Sequence, residues 1–165
     1  MDELDNGLSI SLHGEIAERS VVRIKKTVAG WGLRLPDVEP LVLDFGLGKF
    51  DEIGETEFWI ANEVDGGYCG KFLFVFDRQT CPKHMHRVKL ETFYIVKGSV
   101  SMLYDGKEFR MNEGDVLKVE VGKYHRFTGI GNCLLLEVSK PSIIDDNYFE
   151  DTRIPIGGNY KRNSE

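Results

Sequence analysis

The stretch His84-Met85-His86-Arg87-Val88-Lys89-Leu90-Glu91 decides how the rest of this chain is interpreted. Two histidines at i and i+2 of a strand point to the same face, because strand side chains alternate with a period of two. A turn over residues 88–90 then brings Glu91 to the start of the paired strand, facing back across the hairpin. His125 follows a turn at Gly122 and enters the same barrel on a later strand. Three imidazoles and one carboxylate suit a divalent ion of intermediate softness and leave an octahedral ion two open positions.

Short apolar segments separated by glycine-containing turns surround this stretch. Asp105-Gly106, set between segments 100–104 and 107–111, is a strong signal for a two-residue β-hairpin. The segments 116–121 and 134–138 are further predicted strands. No alternation of strands and helices is visible after residue 40, so the pattern predicts an antiparallel sandwich or barrel.

One amphipathic helix is predicted ahead of the strands, over residues 15–31. Its apolar positions step by four and three along one face: Ala17, Val21, Ile24, Val28 and Trp31. Residues 1–12 are polar with little periodicity and are predicted to form a loose arm. The chain is therefore divided into an N-terminal arm and helix over 1–40 that pack on the barrel, a barrel over 41–160, and a polar tail over 161–165.

The composition of the 165 residues is that of an ordinary globular protein, with 41% hydrophobic and 29% charged residues. The formal net charge of -6 argues against a nucleic-acid-binding surface and against polybasic contact with a membrane. Cys69, Cys81 and Cys133 are odd in number and lack CxxC spacing, so reduced thiols and a cytoplasmic location are expected. An acidic N-terminus without a following apolar run predicts neither a signal peptide nor a membrane span.

Two motifs of this chain resemble the paired motifs of the cupin family. His84-x-His86-x4-Glu91-x6-Gly98 resembles the first, and Gly114-Asp115-x6-Gly122-x2-His125 resembles the second. Arg78 and Glu120 replace the usual glycine and proline of these motifs, which puts the local loop shape in question. The resemblance implies an all-β fold: a single cupin jelly-roll barrel, or double-stranded β-helix, with the N-terminal helix against it. It also implies that the metal ligands are His84, His86, Glu91 and His125.

From about Asp44 to Ile154 the chain resembles the D-lyxose isomerase type of cupin. The matching pieces are Asp44-Phe45-Gly46-Leu47-Gly48, Tyr68-Cys69-Gly70-Lys71, Gln79-Thr80-Cys81-Pro82, Lys89 in the opening stretch, Leu136-Glu137-Val138-Ser139 and Phe149-Glu150-Asp151-Thr152-Arg153-Ile154. This resemblance implies a metal-dependent aldose–ketose isomerase acting on a sugar of the D-lyxose or D-mannose type, or on a sugar phosphate. The proton would move between neighbouring carbons through an enediol, with metal assistance. A homodimer is also expected from the family.

Four residues are candidates for the chemistry itself. Glu91 and Glu137 are the candidates for proton transfer, because a carboxylate suits the exchange of a proton between neighbouring carbons. Glu137 interrupts an apolar strand, and its position in the sequence leaves inward and outward orientations equally open. Lys71 and Lys89 are predicted substrate contacts, and Lys89 is also a catalytic candidate that would stabilise the enediolate. The alternative for each lysine is a solvated surface position.

Near the end of the chain, Asp151 and Arg153 are predicted substrate-binding residues that form an ion pair at the barrel mouth. The ligand set accepts Mn, Fe, Co, Ni or Zn, and the expected cofactor is Mn²⁺. The expected partner is a small sugar or sugar phosphate.

Three other functions remain open from the sequence. A cupin dioxygenase would use the same residues to bind iron. A non-catalytic sugar-binding cupin is favoured if Glu137 and Lys71 point outward. A cupin phosphoglucose isomerase of archaeal type needs a phosphate site richer in threonine and basic groups.

Overall fold

The computed structural model describes residues 2–160, so the predicted tail over 161–165 lies outside the described residues. Two helices precede the strands: α1 (Glu3–Ile10) and α2 (Glu15–Gly30). The strands are β1 (Leu41–Leu43), β2 (Glu55–Glu63), β3 (Tyr68–Val75), β4 (His84–Met85), β5 (Glu91–Tyr104), β6 (Lys107–Asn112), β7 (Val116–Val119), β8 (His125–Ser139) and β9 (Tyr148–Phe149). A short 3-10 helix, Ile144–Asp146, lies between β8 and β9. Within residues 2–160, no helix has both the length and the apolar character needed to cross a membrane.

Two long strands, β5 and β8, each belong to two sheets. They pair with each other from Glu91 opposite Ser139 to Tyr104 opposite His125, with register shifts around Lys97. On one side of these shifts the strand order is β1-β2-β3-β8-β5-β7, and on the other it is β6-β5-β8-β4-β9. Two antiparallel sheets joined in this way form a jelly roll, so the predicted all-β barrel is confirmed.

The backbone conformations of Gly98, within β5, and of Arg78, in the loop before β4, explain how the chain turns at these positions. Gly98 has a φ of 84°, and a Cβ atom there would lie 2.3 Å from the carbonyl oxygen of Asn132. Only glycine fits such a close approach at the bend of β5. Arg78, which departs from the first motif, has a φ of 63°. It therefore adopts the left-handed conformation that the motif glycine favours, and the loop keeps its shape.

The helix α2 covers the outer face of the first sheet, as its apolar stripe predicts. Ala17, Ile24 and Val28 pack against a buried cluster that includes Phe58 of β2 and Phe74 of β3. The opposite faces of β2 and β3 point into the barrel. These two strands are therefore buried on both faces. The polar side chains on their inner faces lie in the cavity described below.

The prediction of a loose arm over residues 1–12 is wrong, because residues 3–10 form α1. The Asp2 carboxylate caps its N-terminus by accepting a backbone N–H of the first turn at 2.8 Å. Ile10 packs beside Leu41, and a Cβ atom on Gly7 would lie 2.5 Å from the Leu41 Cδ2 atom. Such a short helix is stabilised by packing on β1 rather than by its own propensity, which the local pattern does not reveal.

Candidate metal centre and the cavity around it

Four ligand-type side chains converge where β4, β5 and β8 meet. Glu91 is the first residue of β5, His125 is the first residue of β8, and His84 pairs with His125 across the sheet. His86 follows β4 directly. One ligand atom from each residue lies within 4.8 Å of the others. The structure thus brings together all four predicted ligands.

Three of the converging atoms are buried and have no hydrogen-bond partner among the described residues: His86 Nε2, Glu91 Oε1 and His125 Nε2. The Glu91 Oε1 atom lies 3.2 Å from His86 Nε2 and 2.7 Å from His125 Nε2. These atoms are close to one another, and none of them has a hydrogen-bond donor among the described residues. Each buried polar atom without a partner costs about 1–3 kcal/mol. A cation between these atoms would satisfy all three, so the residues fit a metal ion.

Backbone carbonyl groups fix the tautomer of each imidazole. The Nδ1 atom donates to a carbonyl oxygen at 2.8 Å in His84 and at 3.0 Å in both His86 and His125. A carbonyl can only accept, so Nδ1 carries the proton and Nε2 keeps its lone pair. Imidazoles that bind metals are oriented by bonds of this kind.

The protonation states of the ligands suit a cation as well. Burial lowers the pKa of His84 well below its usual value, and the neighbouring His125 adds to the shift. Burial and the Lys89 ammonium lower the pKa of His86. Burial alone would raise the pKa of Glu91, but Lys89, with its Nζ atom 2.9 Å from Glu91 Oε2, holds that pKa well below its usual value. These shifts favour neutral imidazoles at His84 and His86 and an ionised carboxylate at Glu91.

Asp146, at the end of the 3-10 helix, holds the loop that carries the metal ligands. Its carboxylate accepts the backbone N–H groups of Arg87, Val88 and Lys89 at 2.8–3.2 Å. Its own carbonyl oxygen accepts the proton of His86 Nδ1 at 3.0 Å. Charge-assisted bonds to three consecutive N–H groups fix a loop strongly. The positions of His86 and Lys89 therefore depend on Asp146, which lies between β8 and β9.

A cavity extends from the metal centre between the two sheets. Its apolar wall is formed by Ile10, Leu41, Leu43, Phe45, Phe149 and Ile156. Its polar wall is a series of alternating charges, which we call the ion-pair chain: Glu57, Lys71, Glu137, Lys89 and Glu91. All five side chains are buried.

The contacts along the ion-pair chain are short and continuous. The Lys71 Nζ atom lies 3.1 Å from both oxygens of Glu57 and 3.7 Å from Glu137 Oε2. The Lys89 Nζ atom donates to Glu137 Oε1 at 2.9 Å and lies 2.9 Å from Glu91 Oε2. Buried charges are tolerated when each has a partner of opposite sign. The chain therefore connects the far end of the cavity to a metal ligand.

The orientations that the sequence left open are now fixed. Lys71 and Glu137 are cross-strand partners that point into the cavity, and Lys89 reaches the same space. Asp151 and Arg153 form the expected ion pair, at 2.7 Å, but neither lines this cavity. Asp151 also accepts the backbone N–H of Arg153, so the pair closes on itself, with the Arg153 side chain exposed. The predicted position of this pair at the substrate site is thus corrected.

Four further cavity residues were missed by sequence reasoning: Glu55, Glu57, Trp59 and Ser142. Glu55, Glu57 and Trp59 alternate on the inner face of β2, and Trp59 Nε1 donates to Glu57 Oε2 at 2.6 Å. The spacing of these three residues was visible, but charged residues on one face of a strand usually face solvent. A signal for inward carboxylates was the apolar set on the opposite face, which α2 covers.

Comparisons with known proteins agree with this geometry. The cupin domain family matches residues 73–139. A curated D-lyxose/D-mannose isomerase of Thermosediminibacter oceani is 28% identical over 141 residues, with 68% of this chain and 77% of that protein covered. The described fold is similar to the L-ribose isomerase of Cellulomonas parahominis solved with L-ribose, with a TM-score of 0.69 and 16% identity over 88% of this chain and 95% of that one. The L-ribose isomerase of Geodermatophilus obscurus gives a TM-score of 0.68 and 16% identity, covering 86% and 94% of the two chains.

The family match runs from the last three residues of β3 to the end of β8 and includes all four converging ligands, and the two structural similarities show the same fold. The expected resemblance to sugar-isomerase cupins is confirmed by the curated relative. Residues 73–139, which carry the His84, His86, Glu91 and His125 cluster, match the cupin domain family.

Proposed function

We propose that this protein is a metal-dependent aldose–ketose isomerase that acts on a free sugar of the D-lyxose or D-mannose type. The observation that carries the proposal is a buried carboxylate, Glu137, held by two lysines in the cavity that the ligands His84 and Glu91 also line. Isomerisation needs both elements, because oxygens at two neighbouring carbons change charge while a proton moves between those carbons. The named activity of the curated relative supports this proposal.

The metal ligands define where the reacting end of the sugar would lie. A divalent ion held by His84, His86, Glu91 and His125 supplies positive charge that stabilises negative charge developing on substrate oxygens. Lys89 lies between Glu91 and Glu137, so its ammonium adds a hydrogen-bond donor at the same end of the cavity. We assign Lys89 as a catalytic contact and Lys71 as a substrate contact.

Glu137 is the proposed proton carrier. Its Oε1 atom accepts from Lys89 Nζ and from Ser139 Oγ, each at 2.9 Å. Its Oε2 atom has Lys71 Nζ at 3.7 Å, beyond hydrogen-bond distance, and is therefore the oxygen left for a substrate proton. Glu91, the second candidate from the sequence, directs one oxygen to the imidazoles and the other to Lys89. Its place as a metal ligand makes it the weaker candidate for proton transfer.

The charges of the cavity favour a free sugar over a sugar phosphate. Lys71 and Lys89 are both engaged by carboxylates, and the residues lining the cavity include four glutamates and no arginine. A phosphate dianion would lie against these carboxylates without an unengaged cation to receive it. Neutral hydroxyl groups, in contrast, can donate to carboxylates and accept from ammonium groups.

The test is an exchange assay with controlled metal content. The purified protein is stripped with a chelator, reloaded with one divalent ion at a time, and given D-lyxose, D-mannose, L-ribose and their phosphate esters. We expect aldose–ketose exchange of a free sugar, with activity returning on addition of Mn²⁺ and no exchange in the stripped protein. Absence of exchange with every ion, together with oxygen uptake in the iron-loaded protein, would replace this proposal by the dioxygenase.

A substitution isolates the role of Glu137. In Glu137→Gln the metal ligands are untouched, and we expect kcat to fall by about 10²–10⁴, the usual contribution of a general base. Metal content, measured by elemental analysis, should stay at the wild-type level. The same change at Glu63, an exposed residue on β2, should leave kcat unchanged. Full turnover by the Glu137→Gln variant would move the proton-transfer role to Glu91.

The finer properties of this isomerase are also proposals. We propose Mn²⁺ as its ion, a homodimer as its assembly and the cytoplasm as its location. Three free, buried cysteines support a reducing compartment. An exposed apolar patch on the outer face of the first sheet, beyond the area covered by α2, supports self-association: Tyr68, Tyr94, Val116 and Val138.

A further inference from the structure

Glu55 and Glu57 have no role in the proton transfer proposed above, yet both are buried and line the cavity. They lie two residues apart on β2, so their side chains share its inner face. Burying two carboxyl groups side by side is costly unless something specific compensates for it. The contacts of the pair indicate what that compensation is for.

The two carboxyl groups are in different states. Two buried carboxyl groups on the same face of β2 repel each other when both are charged, so one of them favours its protonated form. Burial and the charge of Glu57 raise the pKa of Glu55 well above its usual value. Burial would also raise the pKa of Glu57, but the Lys71 ammonium and donors including Trp59 lower it. Glu55 is therefore the neutral acid and Glu57 the carboxylate.

Glu57 holds Lys71 at a defined distance from Glu137. Lys71 Nζ lies 3.1 Å from both oxygens of Glu57 but 3.7 Å from Glu137 Oε2. Trp59 Nε1 donates to Glu57 Oε2 at 2.6 Å and thereby orients the Glu57 carboxylate that binds Lys71. The ammonium is thus bonded to Glu57 and only near Glu137.

This placement sets the electrostatic surroundings of Glu137. The charged and titratable groups that face it are Lys71 and Cys69 from β3, Lys89 from the loop before β5, and Glu55 and Glu57 from β2. Lys89 already donates to Glu137 Oε1, so a second ammonium bonded to Oε2 would occupy the oxygen left for a substrate proton. An ammonium shared with Glu57 still offsets the buried charge, while Glu137 Oε2 stays free.

We propose that Glu57 is a positioning residue for the proton-transferring carboxylate: it binds Lys71 and thereby keeps the Oε2 atom of Glu137 free for a substrate proton. This inference rests on the proposed isomerase function. It adds a residue that acts on the reaction through Lys71 rather than by touching the substrate.

The decisive variant is Glu57→Gln, which keeps the shape of the side chain and removes its charge. Lys71 then moves toward Glu137 Oε2 and occupies the oxygen left for the substrate proton. We expect kcat to fall about tenfold, a part of the ~10²–10⁴ that a general base contributes, while KM changes less than about twofold. In Glu57→Asp, which keeps the charge, kcat should recover toward the wild-type value.

Two matched substitutions separate charge from packing. Glu55→Gln replaces a neutral donor by another neutral donor, so its effect on kcat should be smaller than that of Glu57→Gln. Glu63→Gln makes the same chemical change on the exposed part of β2 and should match the wild type. Metal content and melting temperature of each variant identify any loss of folding.

A crystallographic measurement tests the inference independently of activity. In Mn²⁺-loaded Glu57→Gln, the Lys71 Nζ–Glu137 Oε2 distance should shorten from the 3.7 Å of the wild type to hydrogen-bond range. An unchanged distance, or a kcat that matches that of Glu63→Gln, would overturn the role of Glu57. A wild-type protein that converts no sugar would defeat the proposed function instead, and the distance would still decide on Glu57.

Discussion

At the metal end of the cavity, three buried atoms of His86, Glu91 and His125 point to one place and bond to nothing among residues 2–160. At the far end, Glu57 and Lys71 are just as buried, but each binds the other at 3.1 Å. The first arrangement is incomplete without a cation, whereas the second is complete by itself. The cluster at the metal end is therefore suited to bind an ion, whereas the cluster at the far end orients side chains that are already present.

The largest expected effect on stability and activity comes from removing a metal ligand. In the wild type, a divalent ion at a thousandfold excess over its Kd should stabilise the fold by about 4 kcal/mol. In His125→Ala we expect most of this stabilisation to vanish, together with the exchange activity, because the ligand set is no longer complete. Thermal melts with and without Mn²⁺ measure the loss.

The control for that experiment is His13→Ala, since His13 is exposed and lies outside the ligand cluster. Its melt should respond to Mn²⁺ as the wild type does. An equal response in His125→Ala would show that the ion binds elsewhere.

A smaller effect is expected from Asp146→Asn, which alters the support of the ligands and not the ligands themselves. An asparagine offers one acceptor oxygen in place of two to the N–H groups of residues 87–89, so His86 and Lys89 lose their fixed positions. Loss of such supporting bonds typically costs 10–100-fold in metal affinity. Competition with a chromophoric chelator gives the affinity.

The neighbouring Asp145 is exposed and provides the matched variant, Asp145→Asn. Equal metal affinities for the two variants would mean that the loop holds its shape without Asp146.

The smallest expected effect is on the melting temperature and comes from a change at Glu55, at the far end of the cavity. The pKa of Glu55 is raised on folding, so the folded state binds more protons than the unfolded state, and stability contributed by this group is lost as pH rises above about 4.5. Glu55→Gln removes that penalty. We expect its Tm to exceed the wild-type Tm by about 2–4 °C at pH 8, the shift for roughly 1 kcal/mol, and to match it near pH 4.5.

Calorimetry at the two pH values measures this difference, with Glu63→Gln as the reference. A Glu55→Gln variant that is less stable than the wild type at pH 8 would show that Glu55 is ionised in the folded protein.

The metal end of this comparison was predictable from the sequence and the far end was not. His84, His86 and Glu91 lie within eight residues, so the period of a strand and one turn suffice to bring them together. Glu55 and Glu57 approach Glu137 only because β2 pairs with β3 and β3 pairs with β8, and local patterns do not record such pairings. Asp146 escaped notice for a related reason, because its partners are backbone N–H groups that no sequence displays.

The fold itself followed the same division. Strand periodicity and glycine turns predicted the barrel, and the stripe over residues 15–31 predicted α2. The helix α1 was missed because its stability comes from contact with β1, and a glycine at position 7 weakens its own propensity. The inward carboxylates of β2 were hidden because α2 buries the other face of that strand, so the usual contrast between an apolar and a polar face was lost.

The sharing of β5 and β8 by both sheets has a consequence for how a substrate reaches the centre. Two sheets joined by continuous strands cannot separate like the halves of a clam shell, so the frame of the barrel should stay closed. Passage is left to the segments that lie over it: α1, which contributes Gly7 and Ile10 to the cavity wall, and the 3-10 helix, whose Ile144 N–H is bonded to Glu3. Entry of a substrate into this barrel is therefore expected to depend on a few contacts between α1 and the 3-10 helix.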